Sequence, residues 1–136
     1  MKKTLQNKNR TVVLNGNPME DVVGFSRAVR VGQQVSIGGT APVDENGSTV
    51  GIGDAGAQAV QCFKIVDEAL QRAGAGWDDV VRTRLILTDI DDWKAVVEVR
   101  KVYCLAAQPV DTIMQVVRFV NPKWLVEIEV DAIIAE

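Results

Sequence analysis

The chain has 136 residues, with 15 Lys and Arg against 18 Asp and Glu, no histidine and two cysteines. That length allows one domain with a real core but not two, and an apolar fraction of 47% with 24% charge excludes disordered and fibrous classes. Without histidine, Ser-His-Asp triads, Cys-His dyads and His-built zinc sites are excluded, so any chemistry runs on carboxylates, Lys, Arg, Tyr, Ser/Thr, Cys or ordered water.

The first ten residues hold Lys2, Lys3, Lys8 and Arg10 without an acid. They read as a solvated basic tail, and residues 11–136 as a single domain. No apolar h-region follows the basic start and no apolar run reaches the length of a membrane span, so a cytoplasmic protein is expected. A net charge of −3 gives no general attraction to nucleic acid. Three strand-like runs come next, at Thr11–Asn15, Phe25–Val31 and Gln34–Gly38, with turn residues at Gly16-Asn17-Pro18 and Val31-Gly32-Gln33. Residues 44–53 (DENGSTVGIG) are a polar loop. Asp54 then caps a long helix that ends with Gly74 at C′, its buried stripe formed by Ala59, Cys62, Phe63, Val66, Ala69, Leu70 and Ala73.

A strand is predicted at about Val80–Leu87, with Val81, Thr83, Leu85 and Leu87 on one face and Arg82, Arg84 and Ile86 on the other. A second helix follows at about Trp93 to Leu105, with Trp93, Val96, Val97 and Tyr103 on its stripe, and Pro109 ends that segment. Two further strands are predicted at about Thr112–Phe119 and Leu125–Ile134. In the last, Val126, Ile128, Val130, Ala132 and Ile134 face one way, and Leu125, Glu127, Glu129, Asp131 and Ile133 the other. The order β-β-β-α-β-α-β-β describes an α+β sheet with two helices on one face. The uncovered face then predicts self-association into a closed homo-oligomer.

Gly51-Ile-Gly-Asp-Ala-Gly56 matches a dinucleotide-binding pattern, but polar loop precedes it and Asp54 would repel a pyrophosphate. It reads as a turn and a cap. Cys62 lies on the buried stripe and Cys104 near the end of the second helix; both read as packed thiols rather than nucleophiles. Glu127, Glu129 and Asp131 project from one strand face about 6.8 Å apart. That ladder reads either as a solvated edge, neutralised by Arg82 and Arg84, or as a site in which burial of one carboxyl raises its pKa for work on water. Alternation alone favours the first reading.

The words of the chain, in this order, resemble the YjgF/RidA family over about residues 11–135. They are Val23-Gly-Phe-Ser-Arg-Ala-Val-Arg-Val-Gly32, Val35-Ser-Ile-Gly-Gly-Thr-Ala-Pro42, Ala57-Gln58, Trp77-Asp-Asp-Val-Val-Arg-Thr83, Leu87-Thr-Asp-Ile-Asp-Asp-Trp93 and Val126-Glu-Ile-Glu129. The resemblance implies a chorismate-mutase-like fold, a homotrimer with ligand clefts between subunits, no cofactor or metal, and hydrolysis of imines or enamines such as 2-aminoacrylate. In typical members an arginine holds the substrate carboxylate and a glutamate positions the water, a role that falls on Glu127 here. The chain departs elsewhere: Asp111 stands where the arginine should be, Phe25 where a tyrosine is usual, Gly38 where a serine is usual, and Asp91 where asparagine is common. Arg118 is no replacement, because strand alternation turns it away from position 111.

These departures imply an acidic pocket, with Asp111 and Glu127 both at the cleft, suited to a neutral or cationic ligand. Arg84 or Arg82 restores an anion site only if that strand face lines the cleft. Three readings follow. The first is a divergent imine or enamine deaminase with Glu127 as its catalytic group and Asp111, Phe25, Gly38, Asp91 and Arg84 around the substrate. The second is a non-catalytic trimer binding a metabolite or protein, and the third is a ribonuclease, which the acidic, histidine-free composition disfavours.

Overall fold

The computed structural model describes residues 9–135; residues 1–8 of the expected basic tail lie outside them. Six strands form one sheet: β1 (Arg10–Val13), β2 (Ala28–Val31), β3 (Gln34–Thr40), β4 (Val80–Leu87), β5 (Val110–Gln115) and β6 (Val126–Ile133). Two helices, α1 (Ala55–Arg72) and α2 (Trp93–Cys104), complete the expected order. The spatial order β1-β2-β3-β6-β4-β5 places β6 at the centre. All neighbours are antiparallel except β4 and β5, which run parallel through the α2 crossover. The first strand begins at Arg10, so the ordered sheet reaches one residue into the expected tail.

α1 forms where expected. Asp54 accepts a hydrogen bond from Ala57 N at 3.0 Å, and the helix closes with Ala75 N bonding Leu70 O and Gly74 N bonding Gln71 O. That pair of bonds is a Schellman ending, and it needs the positive φ of Gly74 (83°). Gly51 and Gly53 have φ of 70° and 76°, so the glycine-rich motif is a turn into the cap, as read from the sequence. The α1 stripe packs on the inner face of the sheet with Val35, Ile37, Leu85, Leu87, Val126, Ile128 and Val130. Phe63 of α1, Tyr103 of α2 and Trp77 form an aromatic cluster, with ring centroids 4.9–5.8 Å apart. Trp93, expected on the α2 stripe, lies instead at the rim and is exposed.

Three expectations change. Phe25–Val31 is not one strand: residues Glu20–Gly24 wind into a π turn closed by Phe25 N to Glu20 O at 3.2 Å, and pairing starts at Ala28. Val81 does not share the buried face of β4, because the register with β6 shifts between Val80 and Arg82 and turns Val81 outward. β5 covers Val110–Gln115 rather than Thr112–Phe119, since β4, its partner among the described residues, ends at Leu87, with one further bond from Val116 N to Leu87 O. No helix among the described residues is long and apolar enough to cross a membrane.

Candidate functional site

The outer sheet face carries Glu127, Glu129 and Asp131, one side chain every second residue of β6. On the β4 side Ile86 pairs with Glu127 and Arg84 with Glu129. Arg84 Nη1 lies 3.2 Å from Glu129 Oε1 and 3.6 Å from Asp131 Oδ2, and Arg82 Nε lies 3.8 Å from Asp131 Oδ2. The basic strip therefore neutralises two of the three carboxylates, through half-exposed pairs worth at most about 1 kcal/mol each. Glu127 stands apart from that network.

On the β3 side the ladder is interrupted. Ile37 pairs with Val130 and Thr40 with Ile128, so Gly38 and Gly39 together oppose Glu129. This extra residue brings the Gly39 backbone under the Glu127 carboxyl: a Cβ at Gly39 would come within 2.5 Å of Glu127 Oε1. Glycine is needed there for space. Gly38 faces open space, and its carbonyl accepts from Thr40 Oγ1 at 2.8 Å.

Beneath the bulge lies Arg27, 5% exposed. Its Nη1 donates to Gly39 O at 2.9 Å and to Thr40 Oγ1 at 3.0 Å, and its guanidinium carbon lies 5.2 Å from the centre of the Phe25 ring. Burial pushes the Glu127 pKa above the ordinary carboxyl range; the Arg27 charge opposes this and Glu129 adds to it. No donor among the described residues hydrogen-bonds the Glu127 carboxyl. A half-buried carboxyl of raised pKa, fixed over a backbone floor and open to incoming groups, can take a proton from water and return it.

Of the residues singled out from the sequence, Glu127, Phe25 and Gly38 thus converge around Arg27, and Arg84 reaches the same face through Glu129. Asp91 sits in the turn Ile90–Asp92 after β4, exposed, its N–H bonded to Asp89 Oδ1 at 3.0 Å. Asp111 lies on the other side of the sheet. It pairs with Thr83, whose side chain is wholly buried on the helix face, and its Oδ1 accepts from Thr83 Oγ1 at 2.6 Å. Arg100 of α2 donates Nε to Thr83 Oγ1 at 2.8 Å and Nη2 to Pro109 O at 2.8 Å, and its Nε is 3.5 Å from Asp111 Oδ1. Within one chain, then, Asp111 and Glu127 do not share a pocket. Arg118 follows β5 in a loop, bonded to the Phe119 and Val120 carbonyls, so strand alternation does not decide its direction.

Arg27, Gly39 and Thr40 were not singled out from the sequence. Two signals bear on them: paired glycines inside a strand, which mark a bulge, and an arginine entering a strand that otherwise alternates. Cys62 and Cys104 are free and buried, and burial pushes both thiols up, away from the reactive thiolate. Among the described residues, no three or more His, Cys, Asp or Glu side chains are grouped as a metal site.

Residues 15–134 match the family model described as Endoribonuclease L-PSP. The chain is 32% identical over 119 residues to the 3-aminoacrylate deaminase RutC of Acinetobacter baylyi, covering 88% of this chain and 94% of the relative. It is 33% identical over 92 residues to the human 2-iminobutanoate/2-iminopropanoate deaminase, covering 68% and 67%. A crystal structure of a YjgF/YER057c/UK114 family member from Mycobacterium tuberculosis superimposes with a TM-score of 0.83 at 38% identity, covering 92% of this chain and 99% of that one.

Proposed function

The chain belongs to the YjgF/RidA family, the family of the Endoribonuclease L-PSP model, and from that premise we propose that it hydrolyses the C=N bond of a reactive imine or enamine. The observation that carries this reading is Glu127: a half-buried carboxyl with raised pKa, seated over Gly39 and with no hydrogen-bond donor among the described residues. Two relatives are named for deamination of an enamine or of imino acids, which supports this reaction class. In the reaction the imine tautomer is the electrophile. Water adds to its carbon while Glu127 accepts the water proton, and the C=N pair passes to nitrogen, which takes that proton from Glu127. The resulting carbinolamine then breaks its C–N bond as its hydroxyl proton passes through Glu127 to the nitrogen, forming the carbonyl and releasing ammonia. Orientation of the water supplies much of the acceleration.

The substrate need not be 2-aminoacrylate. Asp111 replaces the arginine that the resemblance assigns to the carboxylate, and it is bound to Thr83 and Arg100 on the helix face. We place the working site between the subunits of a homotrimer in the cytoplasm, where Asp111 of one chain can stand nearer to Glu127 of another than to its own. The test is a coupled deaminase assay, with 2-aminoacrylate and neutral enamines generated in situ and a typical family member as control. Glu127→Gln is expected to lower kcat by at least about 100-fold while circular dichroism and oligomer size stay unchanged; unchanged turnover overturns the reading. A trimer that binds metabolites without turnover is the second reading, favoured by the loss of tyrosine, serine and arginine at Phe25, Gly38 and Asp111. Ligand-dependent thermal stabilisation without product would select it.

A further inference from the structure

Two helices cannot cover six strands. α1 packs chiefly on β3 and β6, and although Val13 and Ala28 of the β1–β2 wing are buried in the core beside it, a gap remains at the end of β1. A cavity of about 460 Å³ occupies that gap, bounded by β1 and its following loop, the loop after β3, and one face of α1. Its walls are mixed. Val13, Val43, Ile65 and Ala69 are apolar, while Asn15, Asn17 and Gln61 bring amides.

The charges in this cavity are ordered by depth. Arg27, 5% exposed, reaches it from the sheet, and its Nε is buried without a hydrogen-bond partner among the described residues. Among the described residues its side-chain hydrogen bonds run from Nη1, to Gly39 O and Thr40 Oγ1. Glu20 and Glu127 face the guanidinium electrostatically but make no bond to that N–H. A buried N–H without an acceptor is uncommon and costly, and a guanidinium is shaped to receive a carboxylate. Glu45, Glu68 and Arg72 line it from exposed positions, and Asp44 is half-buried with its Oδ1 accepting from Asn46 N and Ser48 N. A simple anion would be repelled by those carboxylates, and a simple cation would leave the deep guanidinium unanswered.

We propose that this cavity is a binding site for a small zwitterion, a free α-amino acid, its carboxylate directed to Arg27 and its ammonium to Glu45, Glu68 and Asp44. The volume accommodates an amino acid with its side chain against Val13, Val43 and Ile65, within the usual range for small-molecule sites. The site is separate from the Glu127 carboxyl, although both abut Arg27, and it does not depend on the deaminase reading.

The experiment titrates the full-length protein with the twenty free L-amino acids by thermal shift, then follows the best by calorimetry beside its des-amino acid and its decarboxylated amine. Saturable binding of the intact amino acid is expected, weakened at least 10-fold by removing either charge. The exposed pair Glu45→Gln/Glu68→Gln should weaken it at least 10-fold with the fold unchanged, Arg27→Lys should weaken it further, and Glu127→Gln, which removes an anion facing the same guanidinium, should not weaken it. The proposal is overturned if no amino acid binds at millimolar concentration, or if either single-charge analogue binds as well as the zwitterion. It is equally overturned if binding survives the Glu45/Glu68 change and disappears with Glu127→Gln.

Discussion

Glu127 retains its proton more strongly in the folded chain than an unfolded glutamate does, because burial disfavours its charged form. The native state therefore binds more protons than the unfolded one across the interval between the ordinary carboxyl pKa and the raised one. Stability must fall as pH rises through that interval, and the cost is then constant above it. Glu127→Gln keeps the shape and removes the charge, so it is expected to raise Tm at neutral pH and to leave it unchanged under acid conditions below the unfolded pKa. Thermal melts of the two proteins across that range check the sign; a variant less stable than the wild type at neutral pH would show that the carboxylate is held by bonds rather than tolerated. The glycines of the bulge separate space from chemistry in the same place. Gly39→Ala puts a methyl group within 2.5 Å of the Glu127 oxygen, so it should displace the carboxyl and reduce ligand binding or turnover about 10-fold or more. Gly38→Ser meets nothing within 4 Å and should change both by less than about 2-fold, since a 1 Å misplacement, not an added hydroxyl, is what costs rate.

At the level of elements, the link between α2 and the edge strand β5 runs through three side chains. Thr83 Oγ1 donates a hydrogen bond to Asp111 Oδ1 and accepts one from Arg100 Nε, and Arg100 Nη2 donates to the Pro109 carbonyl. The side chains of Asp111 and Arg100 are only 22% and 15% exposed, so solvent screens this pair less than those on the outer face. Asp111→Ala leaves a hydroxyl and a guanidinium short of an acceptor and should cost about 1–3 kcal/mol. Asp111→Arg sets two guanidinium groups together and should cost more; adding Arg100→Asp is expected to recover about 0.5–2 kcal/mol of that loss in a double-mutant cycle read by denaturant melts. Additive losses would mean that the two residues act separately. This cluster also shows what periodicity can and cannot reach. The α1 stripe, its Asp54 cap, its Gly74 ending and the inward face of β6 follow from local spacing, and each is found as read. The Phe25 strand and the extent of β5 fail because they depend on a π turn and on where a distant partner strand stops. Glu127 is legible as a candidate only through the family resemblance, because alternation places it on one face with Glu129 and Asp131 and by itself favours a solvated edge. Its floor of Gly39 and Arg27 is not, because a bulge and a buried cation arise from contacts between segments that no local pattern records, and the same holds for Asp111, whose direction is set by Thr83 and Arg100.

For the whole molecule, the helices cover only one side of the sheet. The other presents Val12 and Val29, Ile86 beside Met114, and Ile133, interspersed with the Arg82, Arg84, Glu129 and Asp131 ion pairs. An antiparallel sheet can leave one face wet, but then its residues on that face should be mostly polar. Here apolar and paired charged residues alternate, which suits a face that meets copies of itself, with ion pairs preformed within each chain. A cyclic arrangement of three chains lets each sheet contribute the same surface without an open end. Sedimentation is expected to give three times the 14.8 kDa chain mass, and Tm should rise with protein concentration, since association stabilises the folded chain by mass action. Ile86→Lys together with Met114→Lys would place two cations on neighbouring strands of that face without touching the core. If the face is the interface, this pair should yield a monomer with retained helical signal and a concentration-independent Tm. A monomeric wild type would put the interface elsewhere, and any site that needs two chains with it.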